Sequence, residues 1–178
     1  MHPLCTLLSA YLADTGFHRQ YREITYDYPL AAAEAFSKLH PDSPFTFVYV
    51  SGAGATQTPG MLTPIFGRVK GEAEQALFDL AKKTPNFNIY NVRPQGVDPK
   101  DHTEIHSFMP KQEWWKTSTL SLLGSTWKST LTPTRELGKI LTELAMSKGA
   151  PLEGKDIGME GTLVPNSAIR RITGLSPS

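Results

Sequence analysis

The residues able to do chemistry gather in one stretch. Ser51 follows the apolar run Phe45–Val50, and Phe66 and Lys70 lie further on, four residues apart and so on one face of a helix-forming segment. A serine acts as a nucleophile only beside a base. The G-x-S-x-G turn that exposes such a serine is absent, because Tyr49 and Ala53 stand where it requires glycine. Ser51 taken alone reads as a strand-end cap. Lys70 taken alone is a solvated helix lysine. Gly52-Ala53-Gly54 is the nearest approach to a phosphate-cradling turn, but Gln57 takes the third glycine position. His102 and His106, with Asp101 and Glu104 beside them, have the spacing of a metal pair. Zinc needs more ligands than this segment supplies, so it reads as a solvated loop. Tyr49 and Tyr90 sit in apolar runs and read as packing residues.

The elements that must position these residues are short, because Gly and Pro, 14 of each, cut the chain into pieces. A helix is predicted from near Pro29: Asp27 caps it, and Leu30-Ala31-Ala32-Ala33-Glu34-Ala35-Phe36 has high helix propensity. His40-Pro41-Asp42-Ser43-Pro44 ends it. Phe45–Val50 is β-branched and aromatic and reads as a strand buried on both faces, as in a parallel sheet. After a loop over residues 52–63, Thr63 caps a helix and Pro64 opens it. Its Ile65, Val69, Ala73, Ala76, Leu77 and Leu80 recur at helical spacing, opposite Arg68, Glu72, Gln75 and Asp79. Residues 87–92 form a second strand, closed by Arg93-Pro94. Strand, helix, strand at this spacing implies a right-handed βαβ unit and a parallel sheet with helices on its faces. A polar loop is expected over residues 95–107. The aromatic stretch 114–127 reads as a lid or as packing, with an interfacial membrane helix as the alternative. A helix capped by Thr132-Pro133 carries Leu137, Ile140, Leu141, Leu144 and Ala145, and a short strand at 162–164 precedes a last helix, Asn166–Ile172.

The 178 residues, 39% hydrophobic, suffice for one domain with a real core. Net charge is +1, and the longest basic runs are Lys82-Lys83 and Arg170-Arg171, so the basic stripe of a nucleic-acid binder is lacking. No run approaches the ~18 apolar residues of a membrane span. One cysteine, Cys5, excludes a disulfide framework and a multi-cysteine metal site, and it suits a reducing compartment; a cytoplasmic protein is expected. Residues 4–13 are apolar, but Met1-His2-Pro3 carries no Lys or Arg and no A-x-A site follows, so they read as a buried strand or helix rather than a signal peptide.

Val50-Ser51-Gly52-Ala53-Gly54-Ala55-Thr56, followed by Phe66-Gly67-Arg68-Val69-Lys70-Gly71-Glu72-Ala73-Glu74, resembles the short-chain dehydrogenase/reductase superfamily. That superfamily has Ser at a strand end and Tyr-x-x-x-Lys on the next helix. The Lys-Gly-Glu-x-Glu run at 70–74, Arg93-Pro94, Thr134-Arg135-Glu136-Leu137-Gly138 and Asn166-Ser167-Ala168-Ile169-Arg170-Arg171 are similar to its NmrA-like and nucleoside-diphosphate-sugar epimerase-like branch, fungal members in particular. The resemblance implies NAD or NADP chemistry. In it the Tyr is the general acid/base, the Lys lowers its pKa and holds the nicotinamide ribose, and the Ser hydrogen-bonds the substrate. A phenol with a free pKa of about 10 needs such a cation to work near neutral pH. The resemblance thus makes Ser51, Phe66 and Lys70 the catalytic positions and Lys70, Arg93 and Pro94 the cofactor-binding ones. Phe66 occupies the Tyr position and has no proton to give.

The resemblance runs from about Tyr21 onward and takes in only the C-terminal part of the family's domain. The glycine-rich strand–turn–helix that seats the pyrophosphate is not matched, nor are the residues that tell NAD from NADP. The expectation is a single incomplete NAD(P)-binding-like domain over residues 1–178. Its class is α/β, a partial Rossmann-like parallel sheet with flanking helices, lacking the N-terminal glycine-rich βαβ unit. Its function would be that of a degenerate oxidoreductase or epimerase homologue, unable to bind dinucleotide alone and linked to fungal secondary metabolism. The alternative is a non-catalytic NmrA-like regulatory or protein-interaction module. Its partners would be a small-molecule substrate and a second copy or partner chain over the exposed sheet edge, which residues 4–8 are also placed to cover.

Overall fold

The computed structural model describes residues 15–39, 42–109 and 131–175. They begin with α1 (Thr15–Arg22), which runs through a π turn at Glu23–Asp27 into α2 (Tyr28–Phe36). Then come β1 (Phe45–Val50), α3 (Ile65–Lys83), β2 (Phe87–Arg93) and β3 (Gly96–Asp98). A 3-10 turn at Thr103–Phe108 precedes β4 (Leu131–Pro133), α4 (Thr134–Met146), β5 (Leu163–Pro165) and α5 (Asn166–Ile172).

The result is an α/β fold with a small parallel sheet and flanking helices. The main sheet has the order β1-β2-β5, all parallel, with Phe45 beside Phe87 and Val50 beside Val92. Side chains alternate across it. Phe45, Phe47 and Tyr49 of β1 and Phe87 and Ile89 of β2 meet Leu30 and Ala33 of α2 and Leu77 and Phe78 of α3. On the other face, Val48, Tyr90, Val92 and Val164 meet Leu137, Ile140 and Leu144 of α4 and Ile169 of α5. Complete burial of Leu77, Ile89 or Ile169 contributes about 1.5–3 kcal/mol each. β2 is buried nearly throughout, whereas β1 is half-buried and Val50 is 44% exposed. The fully buried strand expected at β1 is therefore an edge strand: both faces are covered, but among the described residues no strand pairs its outer side.

The helix expected to start at Asp27 begins further back. Asp27 has helical angles, φ −68° and ψ −44°, and makes no capping bond. Pro29 lacks the N–H that would bond the Thr25 carbonyl, and its ring crowds that carbonyl. The backbone widens into the π turn instead of ending, and Tyr49 Oη of β1 donates to the Thr25 oxygen at 2.9 Å. Two other expected caps also differ. Thr63 Oγ1 accepts from the Gly60 N–H at 2.8 Å, so the N-cap of α3 is Pro64. Thr132 lies in β4 and donates to Asn166 at 2.9 Å, leaving Pro133 as the N-cap of α4. The expected loop at 95–107 contains β3, whose partner β4 lies far along the chain and gives no local signal. Residues 4–13 and 114–127, with the readings placed on them, lie outside the described residues.

Two glycines one turn apart let the loop after β1 lie on α3. A Cβ at Gly67 would overlap the Gly54 carbonyl oxygen, and one at Gly71 would overlap that of Thr56. The Thr56 N–H in turn donates to the Gly67 carbonyl at 3.1 Å. Glycine inside a helix costs about 0.5–1 kcal/mol against alanine, and here close backbone approach offsets it. Gly71→Ala is expected to destabilise the protein by about 1–3 kcal/mol in urea unfolding, because backbone must shift. Gly138→Ala on α4 meets nothing within 4 Å and is expected to stabilise it by about 0.5–1 kcal/mol. A Gly71→Ala protein as stable as the parent would contradict the packing.

Candidate functional site

Strand alternation aims a set of polar residues at α3. Ser51 continues the face of Phe47 and Tyr49 beyond the end of β1, and Asn91 and Arg93 continue that of Phe87 and Ile89 in β2. Opposite them α3 presents Glu74, fully buried. Ser51 Oγ donates to Glu74 Oε1, and Gln57 Nε2 donates to Oε2. Arg93 adds a bidentate fork, Nε to Oε1 at 2.8 Å and Nη2 to Oε2 at 2.5 Å. Arg93 Nη2 also donates to Gln57 Oε1 at 3.1 Å, and Asn91 Nδ2 donates to the Glu74 carbonyl at 3.3 Å. A carboxylate this deep is tolerated only when paired and hydrogen-bonded. Sequence reasoning missed Glu74, Gln57 and Asn91 as a group. The signal for Glu74 was a charge between Ala73 and Leu77 on the stripe that faces the core.

The turn after β1 is tied to the turn after β2. The Ser51 N–H bonds the Val92 carbonyl at 2.9 Å, and the Ala53 N–H bonds that of Pro94 at 3.0 Å. Gly52 between them holds φ 105°, which favours glycine. Lys70 Nζ stands over this turn, 3.7 Å from where a Cβ at Gly52 would lie, with the Pro94 oxygen 3.8 Å from the same point. Phe66 lies one turn earlier on α3, 47% exposed, with its ring against Gly54. The structure thus brings Ser51, Phe66, Lys70, Arg93 and Pro94 to the carboxyl ends of β1 and β2, where open α/β sheets bind ligands. It directs Ser51 and Arg93 to Glu74. The phenols of Tyr49 and Tyr90 point elsewhere, to Thr25 and to Ala150 and Ser147. Beside the turn, an open depression of about 690 Å³ is lined by Gly54, Met61, Leu62 and Pro64.

The two histidines do not converge. His102 Nδ1 meets Thr134 Oγ1 at 3.1 Å, and His106 Nε2 donates to the Pro99 carbonyl at 2.8 Å. Among the described residues no three His, Cys, Asp or Glu are arranged to hold a metal. The C-terminal motif latches the small sheet: Asn166 Oδ1 accepts from the Gln95 N–H at 3.2 Å and from Thr132, and Arg170 donates to the Leu131 carbonyl. No described helix is long and apolar enough to cross a membrane.

Burial pushes the Tyr49 phenol above its ordinary value of 10.0, and the Glu74 charge adds to the effect. Above that ordinary value the unfolded chain has lost a proton that the folded one keeps. Stability is therefore expected to fall as pH rises beyond 10.0, until the folded phenol itself ionises. Tyr49→Phe is expected to flatten that fall and to remove one late-ionising phenol from an ultraviolet titration. An unchanged titration and alkaline stability in Tyr49→Phe would contradict the assignment.

No family model and no solved structure matches the chain. It is similar to botcinic acid biosynthesis cluster B protein 16 of Botryotinia fuckeliana (strain B05.10), 38% identical over 156 residues that cover 83% of this chain and 99% of that protein. Identity at that level over most of both sequences places the chain: it belongs to the family of botcinic acid biosynthesis cluster B protein 16.

Proposed function

We propose that this chain serves in the formation of a secondary metabolite as a degenerate relative of the short-chain dehydrogenases/reductases, one that carries out no dinucleotide-dependent step alone. The observation that carries the reading is the hydrogen bond from Ser51 Oγ to the buried Glu74 carboxylate. In a working site of that superfamily the serine hydroxyl faces the substrate. Here it is committed to the core, and the adjoining Phe66 ring offers no proton. Lys70 stands over the Gly52 turn.

The residues present do not fit NAD or NADP. The Arg93 guanidinium forks onto Glu74, so it is not free for a phosphate. Three N–H groups around the glycine turn are also committed: Ala53 to Pro94, Ala55 to Gly52 and Thr56 to Gly67. A pyrophosphate cradle needs such groups pointing outward. The relative's name, which places it in a botcinic acid biosynthesis cluster, supports the secondary-metabolism part of the reading. Calorimetric titration of the full chain with NADH and with NADPH is expected to give no binding heat; a micromolar dissociation constant for either would overturn the proposal.

A further inference from the structure

Charge and apolar surface meet at the turn after β1. Lys70 Nζ stands over Gly52, and Phe66, on the same face of α3, lays its ring against Gly54. Gly54 also lines the open depression of about 690 Å³, with Met61, Leu62 and Pro64. Two residues span at most about 7 Å, so the ammonium and the depression flank one turn. Met61 is 95% exposed and Leu62 92%. They are presented by an ordered turn: the Thr63 N–H donates to the Gly60 carbonyl at 3.2 Å, and the Gly60 N–H donates to Thr63 Oγ1 at 2.8 Å. Apolar surface held out in this way, beside a charge, marks a binding surface.

The charges around the turn do not cancel. Between Asp42, at the far end of β1, and Glu72, the only charged residues are Arg68 and Lys70. The first two acids of α3 are already matched, Glu72 by Arg22 and Glu74 by Arg93. Lys70 is the cation left over, half-buried and without an ion pair among the described residues. Residues 1–14, 40–41, 110–130 and 176–178 bring no net negative charge to it: their acidic side chains are Asp14 and Glu113, against Lys111, Lys116 and Lys128.

We propose that this end of the sheet binds a small carboxylic acid with an apolar body. Its carboxylate meets Lys70, and its apolar part lies across Phe66 and the Met61–Leu62 depression. The site asks for one negative charge only, because the Arg93 guanidinium is taken up by Glu74. A neutral or cationic molecule of the same shape leaves the ammonium without a counter-ion. The proposal does not depend on the ancestry argued above, and failure of either leaves the other standing.

The probe is sodium octanoate, titrated into the full chain and followed by two-dimensional NMR of amides and methyl groups. It is expected to shift the Gly52 and Gly54 amides and the Met61 and Leu62 methyls together, to saturation. Octanol is expected to bind about tenfold more weakly, and acetate, which lacks the apolar body, to shift none of them. Lys70→Met is expected to lower octanoate to the affinity of octanol while leaving octanol unchanged, and Lys70→Arg to keep most of the octanoate affinity. Leu62→Ser is expected to weaken both. Circular dichroism checks that the variants fold. Octanoate that shifts none of these signals at millimolar concentration, octanol that binds as tightly, or a Lys70→Met protein that keeps the parent's octanoate affinity would each overturn the proposal.

Discussion

The Glu74 carboxylate, wholly buried under the sheet, is the constraint on which this end of the molecule depends. An unpaired charge there would cost several kcal/mol. It is held by Ser51 after β1, Gln57 in the loop and Arg93 at the end of β2. These donors come from separate segments, so satisfying one side chain fixes the ends of two strands, the loop between them and α3 against one another. The same requirement sets the chemistry. Donors that neutralise Glu74 are not available to a ligand, and the polar residues at the carboxyl ends of the strands become a structural core.

Close packing completes what that charge begins. The Gly67 and Gly71 groove draws the loop backbone onto α3, which brings Gln57 within reach of Glu74. On the far side of α3 the π turn lets one helical segment run past Pro29, and Tyr49 satisfies the carbonyl that the proline leaves without its N–H. Tyr49 in β1 and Ser51 just beyond its end share one face. Tyr49 therefore holds the helical arm and Ser51 the carboxylate, while among the described residues no strand pairs the outer side of β1.

How much of this was legible depended on range. β1, α3, β2 and α5 follow from local patterns: β-branched runs bounded by proline, and apolar residues at helical spacing. β3 and β4 are three residues each and pair across a long stretch of chain, which no local window shows. The caps assigned to Asp27, Thr63 and Thr132 were reasonable by residue type, but Pro29, Gly60 and Asn166 gave those segments other partners. At the site, Ser51, Phe66, Lys70, Arg93 and Pro94 were named from the sequence and lie together. Glu74 stands in the Lys-Gly-Glu-x-Glu run, where nothing local gives it a role. A glutamate on an apolar stripe is recognised as buried only once its donors are seen, and two of the three lie on the strand and the loop before the helix, the third on the strand after it.

The central claim is that Glu74 and Arg93 stabilise the fold as a unit. A double-mutant cycle measures this directly by urea unfolding. Arg93→Met leaves the carboxylate buried without its cation and is predicted to cost about 3–5 kcal/mol. Adding Glu74→Gln removes the charge; its amide oxygen still accepts one of the two bonds from Ser51 and Gln57, and its NH2 can donate to the Ser51 hydroxyl or the Gln57 oxygen, so the double variant is predicted to be more stable than Arg93→Met alone. Losses that simply add, with the double variant the least stable of the three, would contradict the account.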